Sequence, residues 1–128
     1  MHELQMGPFA KKMSATFKEI VLTLARQGHN IIIDDVAFGA KEIDLWRKTL
    51  KDYKVLWIGL TTPVEHLEER EKTRTGRIKG SARAQHRVVH TGVQYDLEFD
   101  TSKESLEDIV EAIQKRVRPT KTHENKAL

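Results

Sequence analysis

Asn30-Ile31-Ile32-Ile33-Asp34-Asp35-Val36 is the stretch whose reading decides the fold. A continuous apolar run this short reads as a strand buried on both faces, as in a parallel sheet. Asp34 and Asp35 then fall at its carboxyl end, the edge where open α/β sheets bind ligands. Carboxylates that follow a hydrophobic strand hold Mg²⁺, often through water, in proteins that transfer phosphate. A plainer reading stands beside this one: one carboxylate caps the following turn and the other is solvated.

On the amino-terminal side, residues 1–8 show no periodicity and read as irregular. Met13, Phe17, Ile20, Val21 and Leu24 then recur at helical spacing and define one apolar face, which is expected to be buried. Gly28 follows the last apolar position and suits a left-handed cap. On the other side, Phe38-Gly39-Ala40 reads as a loop, with Gly39 free to take a positive φ. Ile43, Trp46 and Leu50 mark a short helix, and Asp52-Tyr53-Lys54 turns the chain into a second apolar strand over 55–60. Thr62-Pro63-Val64-Glu65 opens another helix, with Thr62 as the cap and Pro63 at its first position. Lys79-Gly80-Ser81 reads as a mobile cationic link, and 82–89 as a short helix. Tyr95, Leu97 and Phe99 alternate with acidic residues, which is strand periodicity. The last helix has an apolar face of Leu106, Ile109, Val110, Ile113 and Val117, with Thr101/Glu104 or Ser105/Asp108 as capping pairs. Pro119 ends it, and 119–128 reads as a polar tail. Strand and helix alternate throughout, which predicts an α/β fold with a parallel sheet and right-handed crossovers.

A chain of 128 residues, 32% charged and 38% hydrophobic, suits one soluble domain with one modest core. No apolar stretch approaches the length of a membrane span. Without cysteine there is no disulfide framework and no thiolate nucleophile. A cytoplasmic location is the expectation. The net charge of +3 admits an anionic ligand such as a nucleotide without requiring nucleic acid. Nucleic-acid binding through the cationic 70–87 stretch is not expected.

Arg70, Arg74 and Arg77 are spaced four and three apart, so a helix continuing through them would place all three on one face. Glu68, Glu69 and Glu71 could neutralise them internally. Alternatively they clamp a polyphosphate, because the planar guanidinium fork matches phosphate oxygens. Gly76 and Gly80 would then be lid hinges. His90, between Val89 and Thr91, reads as structural. No His, Asp or Glu spacing makes a convincing metal cage, and Trp46 and Trp57 read as core.

Taken together, these blocks resemble the chloramphenicol phosphotransferase family. The resemblance is carried by Ile31-Ile32-Ile33-Asp34-Asp35-Val36, Val55-Leu56-Trp57-Ile58-Gly59, and Arg70-Glu71 with Arg74 and Arg77. It continues through Val88-Val89-His90, Gly92-Val93, Tyr95-Asp96 and Asp100-Thr101, with Lys103-Glu104-Ser105 after them. It runs from about Gly7 to Val117. It implies a three-layer P-loop kinase-like domain over 1–118, with a parallel sheet flanked by helices, and the chemistry of moving the γ-phosphate of ATP to a small-molecule hydroxyl. It also implies that Asp34 and Asp35 lie near Mg²⁺, held indirectly. Arg70, Arg74 and Arg77 would form a lid over the phosphates, and Asp100, Thr101, Ser102 and Lys103 a loop near the adenine.

One departure counts against catalysis. The family's Gly-x-x-x-x-Gly-Lys-[Ser/Thr] loop occurs nowhere in the 128 residues, so the backbone cradle for the β- and γ-phosphates is missing. The carboxylate the family uses as base toward the acceptor hydroxyl lies in the same absent stretch. The expectation is therefore an incomplete or inactive form lacking the first strand, P-loop and first helix. A non-catalytic nucleotide-binding or interaction module that keeps the lid is the alternative. Self-association through an exposed sheet edge is a further expectation.

Overall fold

A computed structural model describes residues 6–76 and 78–118. The expectations placed on residues 1–5, on Arg77 and on the 119–128 tail lie outside the described residues. Five helices and two strands are described: α1 (Pro8–Arg26), α2 (Ala40–Thr49), β1 (Ile58–Thr61), α3 (Val64–Thr73), α4 (Ser81–His86), β2 (Leu97–Asp100) and α5 (Leu106–Val117). The chain divides into two compact units. One takes the chain up to Val55 together with Pro63–Gln94; the other takes Leu56–Thr62 and the chain from Tyr95 onward.

The first unit contains the two long amino-terminal helices. Pro8 opens α1 at a position where a missing N–H costs nothing. Gly28, at φ +81°, closes it: its N–H reaches Ala25 O at 2.9 Å and the His29 N–H reaches Leu24 O at 3.2 Å. These two bonds form the Schellman arrangement that satisfies carbonyls at a helix end. Gly39 begins α2 at φ +83°, and a Cβ there would sit 3.1 Å from the Val88 carbonyl oxygen. Ile43, Trp46 and Leu50 are all buried, as their spacing predicts.

The apolar face expected of α1 behaves differently. Val21 is buried, but Met13, Phe17, Ile20 and Leu24 are exposed. The helix packs on α2 through the adjacent flank, which carries Val21 and the buried Lys18. A single neighbouring helix covers only one strip of another.

The expected strand over 30–36 is corrected outright. That segment has no regular structure, and Ile32 is 99% exposed. β-propensity makes a strand only where a partner supplies the ladder, and no described residue pairs with this run.

The second unit holds the sheet. β1 and β2 run parallel, with Ile58 opposite Leu97 and Thr61 opposite Asp100. The parallel pairing of these two regions meets the expectation; β2 covers the expected 97–100, whereas β1 starts at Ile58, later than the apolar run from Val55 suggests. Among the described residues the sheet has two strands, so the chain shows a mixed helix and strand fold of α/β type with a small parallel sheet. Gly59 is buried, and a Cβ on it would fall 2.5 Å from a carbon of the Tyr95 ring. Among the described residues of this unit, Phe99 and Ile109 have buried apolar side chains, whereas Leu106, Val110 and Val117 on the expected face of α5 are exposed. Of the two capping pairs open to α5, the helix uses the second, with Ser105 Oγ accepting from the Asp108 N–H at 3.1 Å.

Candidate functional site

The described acidic and basic residues of 68–83 lie in the first unit, on α3, on α4 and on the connection between them. α3 stops at Thr73, and Arg74 is extended at φ −94° and ψ 120°. Arg70 therefore sits in the last helical turn and Arg74 outside the helix, so the shared helical face expected of the arginines is not formed. Thr62 and Pro63 also differ from expectation: Pro63 occupies the cap position without a side-chain bond, and α3 begins at Val64.

The three glutamates do not neutralise Arg70 or Arg74. Glu68 accepts two bonds from Arg83, at 2.6 Å from Nε and 3.0 Å from Nη2. Glu69 pairs with Lys72 at 3.1 Å. Glu71 accepts from the Gly80 N–H at 2.9 Å, the Ser81 hydroxyl at 2.8 Å and the Ala82 N–H at 3.0 Å. Hydrogen bonds to a charged form favour that form. The Gly80 and Ala82 amides and the Ser81 hydroxyl accordingly hold the Glu71 carboxyl below its ordinary pKa. The Arg83 guanidinium does the same for Glu68, and Glu68 raises Arg83 in return. Arg70 and Arg74 are exposed and have no carboxylate partner among the described residues. The link at 79–81, expected to be loose, is tied to α3 through Glu71.

Asp34 and Asp35 lie in the same unit, both exposed. Without a ladder, this segment is held by α2. The indole N–H of Trp46 donates to Asp35 Oδ2 at 3.3 Å, and the Phe38 N–H donates to Glu42 Oε2 at 3.0 Å. Trp46 is itself fixed by Phe17, ring edge to face at 5.5 Å, and by the Lys18 ammonium 4.8 Å from its ring centre. Lys18 also donates to Glu42 at 3.4 Å and to Ser14 at 3.1 Å. No group of three or more potential metal ligands occurs among the described residues. Two adjacent hard-oxygen donors still fit Mg²⁺ in the mode where nucleotide phosphates and water complete the shell.

In the second unit, the carboxyl ends of the two parallel strands are joined. Thr61 Oγ1 donates to Phe99 O at 3.2 Å, Thr101 N–H donates to Thr61 O at 2.9 Å, and the hydroxyls of Thr62 and Thr101 share a hydrogen bond. Asp100 folds the following loop onto itself. Its Oδ1 accepts from the Ser102 N–H at 2.9 Å and hydroxyl at 2.6 Å, and Lys103 Nζ stands 3.6 Å from Oδ2. Ser102, first through its hydroxyl and then through its N–H, lowers the Asp100 pKa. The structure thus brings Asp100, Thr101, Ser102 and Lys103 into one turn at a strand end, where α/β sheets bind ligands.

Sequence reasoning did not single out Thr62 as the partner of Thr101, Trp46 as the donor to Asp35, or Glu71 and Arg83 as the bonds between α3 and α4. The Thr62–Thr101 and Trp46–Asp35 partners are 39 and 11 residues apart. No helical or strand period connects them.

A mixed helix and strand chain with a small parallel sheet, a polar loop at the strand end and a cationic helix end is of α/β type. Within that class the family is defined by sequence: the chain belongs to the chloramphenicol phosphotransferase-like protein family, whose profile matches residues 1–118. No curated protein matches it. No described helix is long and apolar enough to cross a membrane.

Proposed function

We propose that this chain carries the nucleotide-holding part of an ATP-dependent small-molecule O-phosphotransferase and does not transfer phosphate by itself. One observation supports the reading above the others: Glu68, Glu69 and Glu71 are all engaged elsewhere, which leaves Arg70 and Arg74 available to an external anion. In this reading the fold is of the three-layer P-loop kinase type. Arg70, Arg74 and Arg77 contact the polyphosphate. Asp34 and Asp35 hold Mg²⁺ through water, and Asp100, Thr101, Ser102 and Lys103 lie near the adenine. The transferred group passes from ATP to a small-molecule hydroxyl. Phosphoryl transfer depends on positioning, and these 128 residues contain no Gly-rich loop with its lysine. That favours the second reading, a non-catalytic nucleotide-binding module, for the chain on its own.

Isothermal titration with ATP, with and without Mg²⁺, tests the binding half. A coupled assay for ADP release with chloramphenicol as hydroxyl acceptor tests the catalytic half. The expected result is Mg²⁺-sensitive binding without turnover. Sustained Mg²⁺-dependent transfer would overturn the inactive reading, and absence of ATP binding would overturn the proposal as a whole.

A further inference from the structure

The connection over 74–79 leaves α3 at Arg74 and enters α4 after Gly80, which is in the left-handed region at φ +85°. Glu71, on the last turns of α3, spans this connection. Its Oε2 accepts from the Gly80 N–H, and its Oε1 accepts from the Ser81 hydroxyl and the Ala82 N–H. Ser81 is buried, so its bond to Glu71 is partly shielded from water, while the Gly80 bond is exposed. One turn earlier on α3, Glu68 and Arg83 make a second, two-pronged tie to α4. Both exits of the connection are therefore fixed to the same helix. Arg74 stands at one exit and Lys79 at the other, both exposed and neither with a carboxylate partner among the described residues.

Two exposed like charges on one connection repel each other weakly in water, and an anion that contacts both replaces that repulsion with attraction. A carboxylate that draws the two ends together keeps the cations close before any ligand arrives, which lowers the entropy lost on binding. Free glycine hinges would do the reverse. Gly80 is already committed as the donor to Glu71, so it does not serve as a hinge while that bond stands.

We propose that Glu71 is a positioning residue for anion binding: by tying the start of α4 to α3, it holds Arg74 and Lys79 as a preformed pair for a polyphosphate. This rests on the reading that the cations of this segment take the phosphates of a nucleotide. Glu71 does not touch the ligand and acts through Arg74 and Lys79.

The test is a double-mutant cycle on the full chain, with inorganic tripolyphosphate as the probe in isothermal titration. Glu71→Ala should weaken binding by about tenfold, as when the two ends meet in only about a tenth of the molecules. In an Arg74→Ala/Lys79→Ala background, Glu71→Ala should have no further effect. Glu71→Gln keeps an acceptor oxygen and should recover part of the loss. Amide exchange at Gly80 and Ala82 should speed up in Glu71→Ala while the amides of α2 stay protected, which separates loss of the tie from general unfolding. If Glu71→Ala leaves affinity unchanged, or weakens it equally in both backgrounds, Glu71 does not position the cations. If Arg74→Ala/Lys79→Ala itself leaves affinity unchanged, the polyphosphate reading falls and takes the positioning role with it.

Discussion

Trp46 donates its indole N–H to Asp35 across 3.3 Å, and this bond, with the Phe38–Glu42 contact, anchors a segment that no sheet holds. The donor is 3% exposed while the acceptor is on the surface, so a buried ring sets the place of an exposed carboxylate. Trp46→Phe keeps the ring against Phe17 and removes the donor. We expect it to destabilise the chain by about 1–3 kcal/mol, through the lost bond and the smaller ring. Asp35→Ala should cost about 0.5–1.5 kcal/mol, the net worth of an ordinary hydrogen bond. Urea unfolding of both variants is the measurement, and an Asp35→Ala curve superimposable on the parent would show that the bond does not hold the segment.

The ties between α3 and α4 depend on ionised glutamates. Glu68 and Glu71 have pKa values lowered by Arg83 and by the Gly80 amide respectively. A depressed folded-state value means that the stabilisation is present above the unfolded value and is lost as pH falls through the folded one. Amide protection at Gly80 and Ala82 should accordingly be flat through neutral pH and decline below about pH 4. Protection that begins to fall near pH 6 would point to a histidine instead.

Gly59 packs under Tyr95 with no room for a side chain. A Cβ would lie 2.5, 2.6 and 2.9 Å from three ring carbons. Gly59→Ala should therefore destabilise the second unit by about 1–3 kcal/mol, as overpacking does. Tyr95→Ala in the same chain should remove most of that penalty relative to Tyr95→Ala alone. A thermal melt series decides it, and additive effects of the two substitutions would mean that the ring is not the obstacle.

Ser105 caps α5 by accepting the Asp108 N–H. Ser105→Ala leaves that donor without a protein partner at a helix start and should cost about 0.5–2 kcal/mol. Ser105→Asp should cost little, because its carboxylate accepts the same bond and suits the positive end of the helix. Equal melting temperatures for Ser105→Ala and the parent would contradict the cap.

For the proposed function, Arg70→Ala and Arg74→Ala should each weaken ATP binding by about 1.5–3 kcal/mol if each contributes a charge-assisted contact. Arg77→Ala, at a position outside the described residues, is expected to behave alike. Titration calorimetry showing unchanged affinity in all three would reduce these arginines to surface charges.

Local chemistry was legible from the residues alone. The positive φ at Gly28 and Gly39 follows from where each glycine falls beside a helix, and the buried trio Ile43, Trp46 and Leu50 follows from the helical period. Ser105 was one of two possible caps, and the parallel relation of the 58–61 and 97–100 regions followed from strands separated by helices. Each of these depends on the backbone preferences of a few neighbouring residues or on the order of elements. The tertiary structure decided the rest. The isoleucine run at 31–33 has every residue a buried strand needs, yet a strand exists only where another strand supplies its hydrogen bonds. Arg70 and Arg74 had three glutamates within helical reach in the sequence, yet Glu68 and Glu71 bond to α4 and its cap instead, 9 to 15 residues away. Such partners are chosen by the meeting of distant elements, and no periodicity in the chain encodes which donor an exposed carboxylate will find.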